Sequence, residues 1–434
     1  MSVIQVEPKA SKGLDIESLV QEGRVHSRAF TDQSIFDMEM DKIFEQNWVY
    51  IGHGSEIPRH GDYRVRKIGR QSVVMIRDKD GSINVLMNRC RHRGAQVCEG
   101  DAGNTKALRC WFHGWIYDTA GNLIEVPGRE AYDDKFNQAK MGLNSAPKVG
   151  VYRDFVFASL NPTSVELADH LGNAKEMIDL MVDASPTGAI RLQAGANRTT
   201  YKGNWKLIGM DGYHAPFVHA SVVELWSQDQ DRGLAATHRG NPFEDGGPSR
   251  TRDLGNGHSM LDFSQYRLGH LDAMKKLLRS FNGGEQYLAD MYGKHSAERA
   301  DLLVALGGDP HVGLFPNVQL INQHVRIINP IGPGLTEIYM TPVLLDGVSD
   351  EINGMRLRQH ESFYGPAGAG SPDDTEIWER VQRGLSAEVN PWIDLTRGLH
   401  RQTRDDKGVI TGHIGDEVTQ RGQFRQWKKL MSSN

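Results

Sequence analysis

The sequence lacks several features that would assign it to a specialised class of protein. It has only three cysteines in 434 residues, too few for a framework of intrachain disulfides. It has no run of eighteen apolar residues, and the polar residues 1–14 lack the apolar core of a signal peptide. We therefore expect a protein of a reducing compartment, the cytoplasm, with no membrane segment.

Charge and length exclude or predict further properties. The formal net charge is −5, so the chain has no basic excess with which to bind nucleic acid or an anionic membrane. The apolar fraction of 38% and the charged fraction of 24% are typical of a globular protein. A chain of 434 residues exceeds the size at which one hydrophobic core stops growing, so we expect two domains.

Two of the three cysteines stand beside histidines in paired motifs. Cys90-Arg91-His92 and Cys110-Trp111-Phe112-His113 each offer one thiolate and one imidazole. A [2Fe-2S] centre of the Rieske type requires this set, because two thiolates bind one iron and two imidazoles bind the other. Structural zinc remains an alternative, although its common forms place both Cys in one loop and both His in another. Buried free thiols beside unrelated histidines fit a repeated pair poorly.

The residues around these motifs have the pattern of an antiparallel sheet. Seven strand candidates alternate with turn residues, and they cover residues 63–68, 72–77, 83–87, 115–118, 123–126, 149–152 and 155–159. The sequence thus predicts a small all-β domain over residues 45–160, with the metal ligands at hairpin tips.

The second predicted domain, residues 161–434, mixes helical and strand patterns. Its candidates are strands over 318–328 and 336–345 and helices over 171–182, 270–306 and 372–386. Residues 227–260, rich in Gly, Asp, Arg and Pro, predict a long irregular insertion. Residues 1–44 are predicted to be an arm and a helix that pack on this domain.

A pair of histidines marks a second potential metal site. His214 and His219 are five residues apart, so on an unbroken helix their side chains diverge by about 140°. Pro216 lies between them and predicts a kink, which would let the imidazoles converge. Two ordinary polar histidines near a helix end are the competing interpretation, and the spacing alone does not choose between them.

A distant carboxylate complements this pair. In the predicted helix 372–386, Asp374 shares a face with apolar residues such as Ile377 and Val381, so it points inward. A buried carboxylate needs a partner such as a cation, although Ser371 to Asp374 also fits a helix capping box. Two histidines and one carboxylate form the facial triad of non-haem Fe(II) oxygenases.

With both clusters identified, the chain resembles the large (α) subunit of Rieske non-haem iron aromatic-ring-hydroxylating dioxygenases over nearly its whole length. Residues 177–206 are more similar to benzoate-type than to naphthalene-type members. The motifs that carry the resemblance are residues 90–95, 110–115, 204–206, 211–219, 315–317 and 364–374.

The resemblance implies an α+β fold in which a small all-β Rieske domain precedes a larger catalytic domain. That domain would be helix-grip-like, an antiparallel sheet with helices. Cys90 and Cys110 would bind one iron of the cluster, and His92 and His113 would bind the other.

The resemblance also implies a mononuclear Fe(II) held by His214, His219 and Asp374. Asp211 matches the family's bridging acid, which would join His214 to His113 of a neighbouring chain. A head-to-tail ring follows from such a link, and the usual ring is a trimer. One departure is that only residues 207–210 separate the Asn-Trp-Lys motif from this acid, about one helical turn fewer than usual.

The implied function is that of a terminal oxygenase component in aromatic hydrocarbon catabolism. It would use O2 and electrons relayed from NAD(P)H through a reductase or ferredoxin to cis-dihydroxylate an aromatic acid or hydrocarbon. A small β subunit is expected, in an α3β3 hetero-hexamer, with a bare α3 ring as the other assembly. Phe217, Leu320 and Tyr364 are predicted to line the substrate pocket.

Two other functions remain open at this stage. A monooxygenase or O-demethylase of the same architecture would use the same ligands, because substrate placement decides the outcome. A binding protein with a Cys2His2 zinc site is the alternative from another class.

Overall fold

The structure is a computed structural model that describes residues 15–220 and 242–433. The chain divides into two compact units. The small unit is Met40–Leu167, and the large unit combines Met1–Glu39 with Ala168–Asn434.

Short antiparallel strands and short helices make up both units. The strands are β1 (Val20–Gln21), β2 (Arg24–His26), β3 (Val49–His53), β4 (Asp62–Ile68), β5 (Gln71–Arg77), β6 (Ile83–Met87), β7 (Ala102–Asn104), β8 (Leu108–Arg109), β9 (Ile116–Tyr117), β10 (Leu123–Glu125), β11 (Lys148–Tyr152), β12 (Phe155–Ser159), β13 (Ile190–Arg191), β14 (Asn197–Tyr201), β15 (Arg250–Gly255), β16 (His258–Asp262), β17 (Val312–Leu314), β18 (Val318–Ile321), β19 (His324–Gly332), β20 (Leu335–Pro342), β21 (Leu344–Leu345), β22 (Trp392–Asp394), β23 (Thr403–Arg404) and β24 (Ile410–His413).

The α-helices are mostly of one to four turns. They are α1 (Ile16–Leu19), α2 (Arg28–Thr31), α3 (Gln33–Glu39), α4 (Leu167–Leu171), α5 (Lys175–Val182), α6 (Ala215–Val218), α7 (Ser264–Leu268), α8 (Leu271–Arg279), α9 (Gly284–Lys294), α10 (Ala297–Leu306), α11 (Asp350–Tyr364), α12 (Ser371–Leu385) and α13 (Val418–Ser432). Among the described residues, no helix has both the length and the apolar character that crossing a membrane requires.

Three antiparallel sheets build the small unit. Their strand orders are β6-β5-β4-β7, β10-β9-β8 and β11-β12-β3. The seven strands predicted here from alternation are present, and each end lies within one residue of its predicted position. Residues 73–76 of β5 are fully buried, because the apolar side chains of this central strand are covered by protein on both faces.

A nine-stranded antiparallel sheet is the centre of the large unit. Its order is β14-β20-β19-β18-β17-β16-β15-β24-β23. Helix α13 packs against β15 and β16, and α11 packs against β20 and β21. The large unit is therefore an antiparallel sheet with helices, as predicted for the catalytic domain.

Two predictions within this sheet are wrong. The single strand predicted over residues 318–328 is two strands, joined by a turn in which Asn322 and Gln323 have φ of 43° and 72°. Residues 250–262 form a hairpin instead of irregular chain, with Asn256 and Gly257 as a two-residue turn at φ of 52° and 79°. Such Asn-Gly turns match the twist of paired strands. Residues 227–241 of the predicted insertion lie outside the described residues.

A buried ion pair connects three distant segments of the large unit. The carboxylate of Glu39, at the end of α3, lies 2.5 Å from the Nζ atom of Lys206, and both side chains are fully buried. The indole N–H groups of Trp205 and Trp427 donate to the same carboxylate, at 2.8 Å and 2.6 Å. Burial lowers the pKa of Lys206, and Glu39 opposes that change. These donors satisfy the Glu39 charge from within the protein.

The variant Glu39→Gln tests how much this ion pair stabilises the large unit. We expect the free energy of unfolding to fall by about 3–5 kcal/mol, because Lys206 would remain buried without its charged partner. Urea unfolding followed by tryptophan fluorescence measures the change. The control is Glu376→Gln, in which an exposed residue of α12 loses its ion pair with Arg380, and we expect a change within about 0.5 kcal/mol. Equal unfolding midpoints for the two variants would contradict the prediction.

Candidate metal centres

Two loops of the small unit share one backbone pattern. In the loop of residues 90–95, Cys90 N–H donates a hydrogen bond to Ala95 O at 2.8 Å, and Gly94 N–H donates one to Cys90 O at 3.0 Å. The loop of residues 110–115 repeats both hydrogen bonds at 2.8 Å and 2.9 Å, with Gly114 in the position of Gly94. Both glycines have the left-handed φ that closes the loop, 79° and 71°.

The loops bring the predicted cluster residues together. Cys90 and Cys110 are buried, and the ring centroids of His92 and His113 are 4.5 Å apart. The Nδ1 atom of His92 is buried and has no hydrogen-bond partner within the described part of the chain. A buried nitrogen without a partner is costly unless it binds something else, such as a metal. Two thiols and two imidazoles in this arrangement fit a Rieske cluster.

The local environment of each cysteine affects its thiol. Burial raises the pKa of Cys110, whereas the backbone N–H groups of Phe112 and His113 act to lower it. Those two N–H groups point at the sulfur and favour its thiolate form. Burial raises the pKa of Cys98 to about 11, so this third cysteine is a neutral, packed thiol.

Two aromatic residues hold the first loop in place. The Oη atom of Tyr117 lies 3.2 Å from Cys90 Sγ and accepts a hydrogen bond from Arg91 N–H at 3.1 Å. The ring of Trp115 stacks on His92, with centroids 4.9 Å apart and an interplanar angle of 7°. Tyr117 was not among the predicted site residues, although its position two residues after the second motif was an available signal.

The second site is built around a single turn of helix. Helix α6 spans only Ala215–Val218, so His214 and His219 flank it instead of lying along a kinked helix as predicted. Pro216 lies in the first turn, where its missing N–H is not needed. With the helix ending at one turn, the two imidazole centroids are 5.4 Å apart.

Helix α12 supplies the carboxylate of this site. The Oδ1 atom of Asp374 lies 3.3 Å from His214 Nε2 and 3.1 Å from His219 Nε2. One ligand atom from each residue lies within 4.8 Å of the other two, a spacing at which all three can hold one metal ion. The alternative interpretation, a capping box, is wrong, because Gly370 is the N-cap and no side chain caps the helix.

The electrostatics of the triad favour an ionised carboxylate. Burial opposes the charge, but hydrogen bonds from His214 and His219 hold the pKa of Asp374 well below its ordinary value. Burial lowers the pKa of His214, whereas Asp374 and, less strongly, Asp211 raise it, and the net change is upward. The Oδ2 atom of Asp373 lies 3.4 Å from His219 Nδ1 and orients that ring. This donor set is that of a non-haem iron site.

A cavity of about 140 Å³ lies beside the triad. Its walls are Asp211, Phe243, Leu261, Gln319, Ile321, Asn322, Arg326, Phe363, Tyr364 and Trp378, among others. A second cavity of about 110 Å³ shares Asn322, Phe363 and Tyr364 with the first. Of the predicted pocket residues, Tyr364 lines the cavity, whereas Phe217 is 68% exposed. Leu320 does not line it, because it faces the opposite side of β18 from Gln319.

Two protein-family models match the chain in sequence order. The Rieske [2Fe-2S] domain matches residues 47–146. The ring hydroxylating alpha subunit (catalytic domain) matches residues 188–404. The matched segments contain the two candidate centres.

Known proteins align with almost the whole chain. The anthranilate 1,2-dioxygenase large subunit of Acinetobacter baylyi is 33% identical over 94% of this chain and 89% of its own length. The N,N-dimethyl phenylurea N-demethylase subunit alpha of a Sphingobium species is 30% identical, over 96% and 94%. Naphthalene 1,2-dioxygenase with indole bound in the active site has the same fold, with a TM-score of 0.82 at 24% identity, covering 96% of this chain and 94% of that one.

A Rieske domain followed by this catalytic domain defines the Rieske non-haem iron oxygenases, which are oxidoreductases. Within that class, the chain belongs to the ring-hydroxylating alpha (large) subunits. The two cofactors of the class are a [2Fe-2S] cluster and a mononuclear non-haem iron, and the donor sets described above fit both.

The variant Gly114→Ala tests the role of the second loop. An alanine with the left-handed φ of Gly114 costs about 1–2 kcal/mol. Its added Cβ would lie 3.1 Å from Pro127 Cγ, a tight contact that requires the loop or Pro127 to move by a few tenths of an ångström. We expect less iron and acid-labile sulfide per chain. Gly81→Ala is the matched control, since Gly81 also has a positive φ of 87° but open space around it. Full cluster content in Gly114→Ala would contradict the prediction.

Proposed function

We propose that this chain is the terminal oxygenase component of an aromatic-ring-hydroxylating dioxygenase. It uses O2 and electrons relayed from NAD(P)H through a ferredoxin or reductase to cis-dihydroxylate an aromatic substrate. The convergence of His214, His219 and Asp374 beside a cavity of about 140 Å³ carries this proposal. An apolar protein cavity of about 150 Å³ holds one benzene molecule, so one aromatic ring fits beside the triad.

Seven side chains have proposed ligand roles. They are Cys90 and Cys110 for one iron of the cluster, His92 and His113 for its other iron, and His214, His219 and Asp374 for the mononuclear iron. When bound, the two centres supply one-electron transfer and the activation of O2.

The protein would orient the iron ligands and the substrate. Asp373 orients the imidazole of His219, and the ring of Phe363 packs against it with centroids 5.3 Å apart. Asp211 lines the cavity, and its carboxylate accepts a hydrogen bond from Tyr213 N–H at 3.1 Å, so the short segment 207–210 still brings this acid beside the triad. A site held in this way would keep the substrate ring close to the proposed metal ligands.

The proposal includes an assembly. Trp111 and Phe112 are 85% and 59% exposed beside His113, and exposed aromatic residues at this density mark a contact surface. We place a second copy there in a head-to-tail ring, with Asp211 linking His214 to His113 of the neighbouring chain. The full assembly that we propose is α3β3, with a small β subunit. Native mass spectrometry tests it, and a monomeric chain would contradict it. A cytoplasmic location supplies the NAD(P)H and reducing conditions.

A monooxygenase or O-demethylase of the same architecture is the second candidate. The 30% identity to an N-demethylase subunit alpha favours it, because that relative is named for removing an alkyl group. The metal ligands are the same in both cases, and the position of the substrate decides between them.

Turnover under ¹⁸O₂ tests the proposed function. The holoenzyme, with a compatible reductase and NADH, is given a panel of aromatic acids and fused-ring hydrocarbons. We expect a cis-diol with two labelled oxygen atoms, because both atoms of O2 enter the ring. A ring-hydroxylated product with one labelled oxygen would contradict the dioxygenase proposal in favour of a monooxygenase. Demethylation of a methoxylated acid in the panel would instead release formaldehyde and leave the aromatic product unlabelled, and no product of any of these kinds would contradict both candidates.

The variant Asp374→Ala tests the proposed ferrous ligands. We expect loss of the mononuclear iron and a fall in turnover of more than about 100-fold, since outer-shell changes alone cost about 10–100-fold. Visible absorption of the cluster should be unchanged. Metal analysis, visible spectra and turnover are measured beside Glu376→Gln, whose exposed carboxylate is on the same helix. If turnover survives in Asp374→Ala, the assignment is wrong.

A further inference from the structure

Arg326 is a buried cation in the wall of the triad cavity. Arg326 is 4% exposed and lies on β19 of the nine-stranded sheet. Within residues 15–220 and 242–433, no carboxylate forms an ion pair with its guanidinium, and its Nε atom has no hydrogen-bond partner. Burying a charge without a counter-charge is costly, so this arginine requires an explanation.

Among the described residues, the two arginines of the neighbouring cavity each have two acceptors within the protein, whereas Arg326 has one. Arg267 forms an ion pair with the buried Asp309 at 2.5 Å. Arg356 donates hydrogen bonds to two backbone carbonyls, at 2.6 Å and 3.2 Å. Both therefore have a structural role within the protein, through a counter-charge or through backbone acceptors.

Neutral neighbours fix the position of Arg326 without neutralising it. Gln319, its direct partner across β18 and β19, accepts a hydrogen bond from Nη1 at 3.2 Å. The amide of Gln319 donates in turn to Ile208 O at 2.7 Å, which fixes its orientation. The guanidinium carbon lies 5.5 Å from the ring centroid of Tyr364. The side chain is thus preorganised while its charge remains available.

The carboxylates that line the same cavity are engaged elsewhere. Asp374 lies within hydrogen-bond distance of both imidazoles of the triad, and Asp211 accepts from the backbone N–H of Tyr213. A small anion beside Arg326 would supply the missing counter-charge. A planar carboxylate fits best, because it can accept two parallel hydrogen bonds from one guanidinium.

We propose that Arg326 binds the carboxylate of the substrate, so that the chain acts on aromatic acids in preference to neutral hydrocarbons. The inference rests on the proposed function for the statement that the bound acid is a substrate. An acid held at Arg326 places its ring in the cavity that the triad also lines. Arg326 is then a residue that determines specificity, in addition to the metal ligands.

Equilibrium binding to the oxidised holoenzyme tests the proposal without turnover. Isothermal titration compares benzoate with benzamide, and 1-naphthoate with 1-naphthamide, which are neutral compounds of matched shape. In at least one pair we expect the acid to bind at least about 30-fold more tightly than its amide. A factor of this size is the loss of affinity that follows removal of one member of a buried charge pair. In Arg326→Gln, the affinity for the acid should fall by a similar factor, while the affinity for the amide should change less than about threefold. The affinity of Arg326→Lys for the acid should lie between those of the wild type and Arg326→Gln, since lysine keeps the charge but lacks the planar guanidinium.

The control variant is Arg198→Gln. Arg198 lies in the same sheet, on β14, and its half-exposed side chain pairs with Glu337 away from the cavity lining. We expect the affinities for both acids and both amides to remain within about twofold of wild type, because Arg198 does not line the cavity.

Two outcomes would overturn the inference. One is equal binding of acid and amide by the wild-type protein in both pairs, a comparison that does not depend on any variant folding. The other is an acid affinity that Arg326→Gln leaves unchanged. The proposed function can fail separately: if acids bind through Arg326 but no aromatic compound is hydroxylated, the oxygenase proposal fails and the binding site remains. If only neutral compounds are hydroxylated and no acid is preferred, the oxygenase proposal stands and the inference about Arg326 fails.

Discussion

The large unit depends on one buried carboxylate, that of Glu39. It joins a helix near the N-terminus, the Trp205-Lys206 motif and the C-terminal helix through three donors. A buried charge pair tolerates little displacement, because a shift of either partner leaves a charge uncompensated in the interior. Lys206 is five residues before Asp211, so this pair also fixes where the chain enters the triad. A contact that includes none of the proposed metal ligands thus helps to position the triad.

Local sequence patterns predicted the small unit better than the large one. The strands β4, β5 and β6 follow from period-two alternation, which every residue of a strand carries, so their ends were predicted within one residue. The hairpin at Asn256 and Gly257 had a recognisable turn signal that the polar composition of its surroundings concealed. The turn at Asn322 and Gln323 had a weaker signal, because the asparagine is not followed by a glycine and the strand pattern continues on both sides of it.

The triad was only partly predictable, for physical reasons that differ among its residues. The inward direction of Asp374 follows from the apolar face of its helix, which is a local property. The convergence of His214 and His219 depends on α6 ending after a single turn, and the packing around it decides that length. Asp373 and Arg326 were missed because their positions in the site appear only through contacts with residues far away in sequence, His219 for Asp373 and Tyr364 for Arg326.

The two cluster loops have equal length but carry their histidines one position apart, and this offset gives the small unit a polarity. His92, two residues after its cysteine, is covered by the indole of Trp115. His113, three residues after its own, is exposed beside Phe112. A redox centre held between these imidazoles would have one half-buried ligand stacked on an indole and one exposed ligand. Directional electron transfer would then originate in the placement of one residue within a loop.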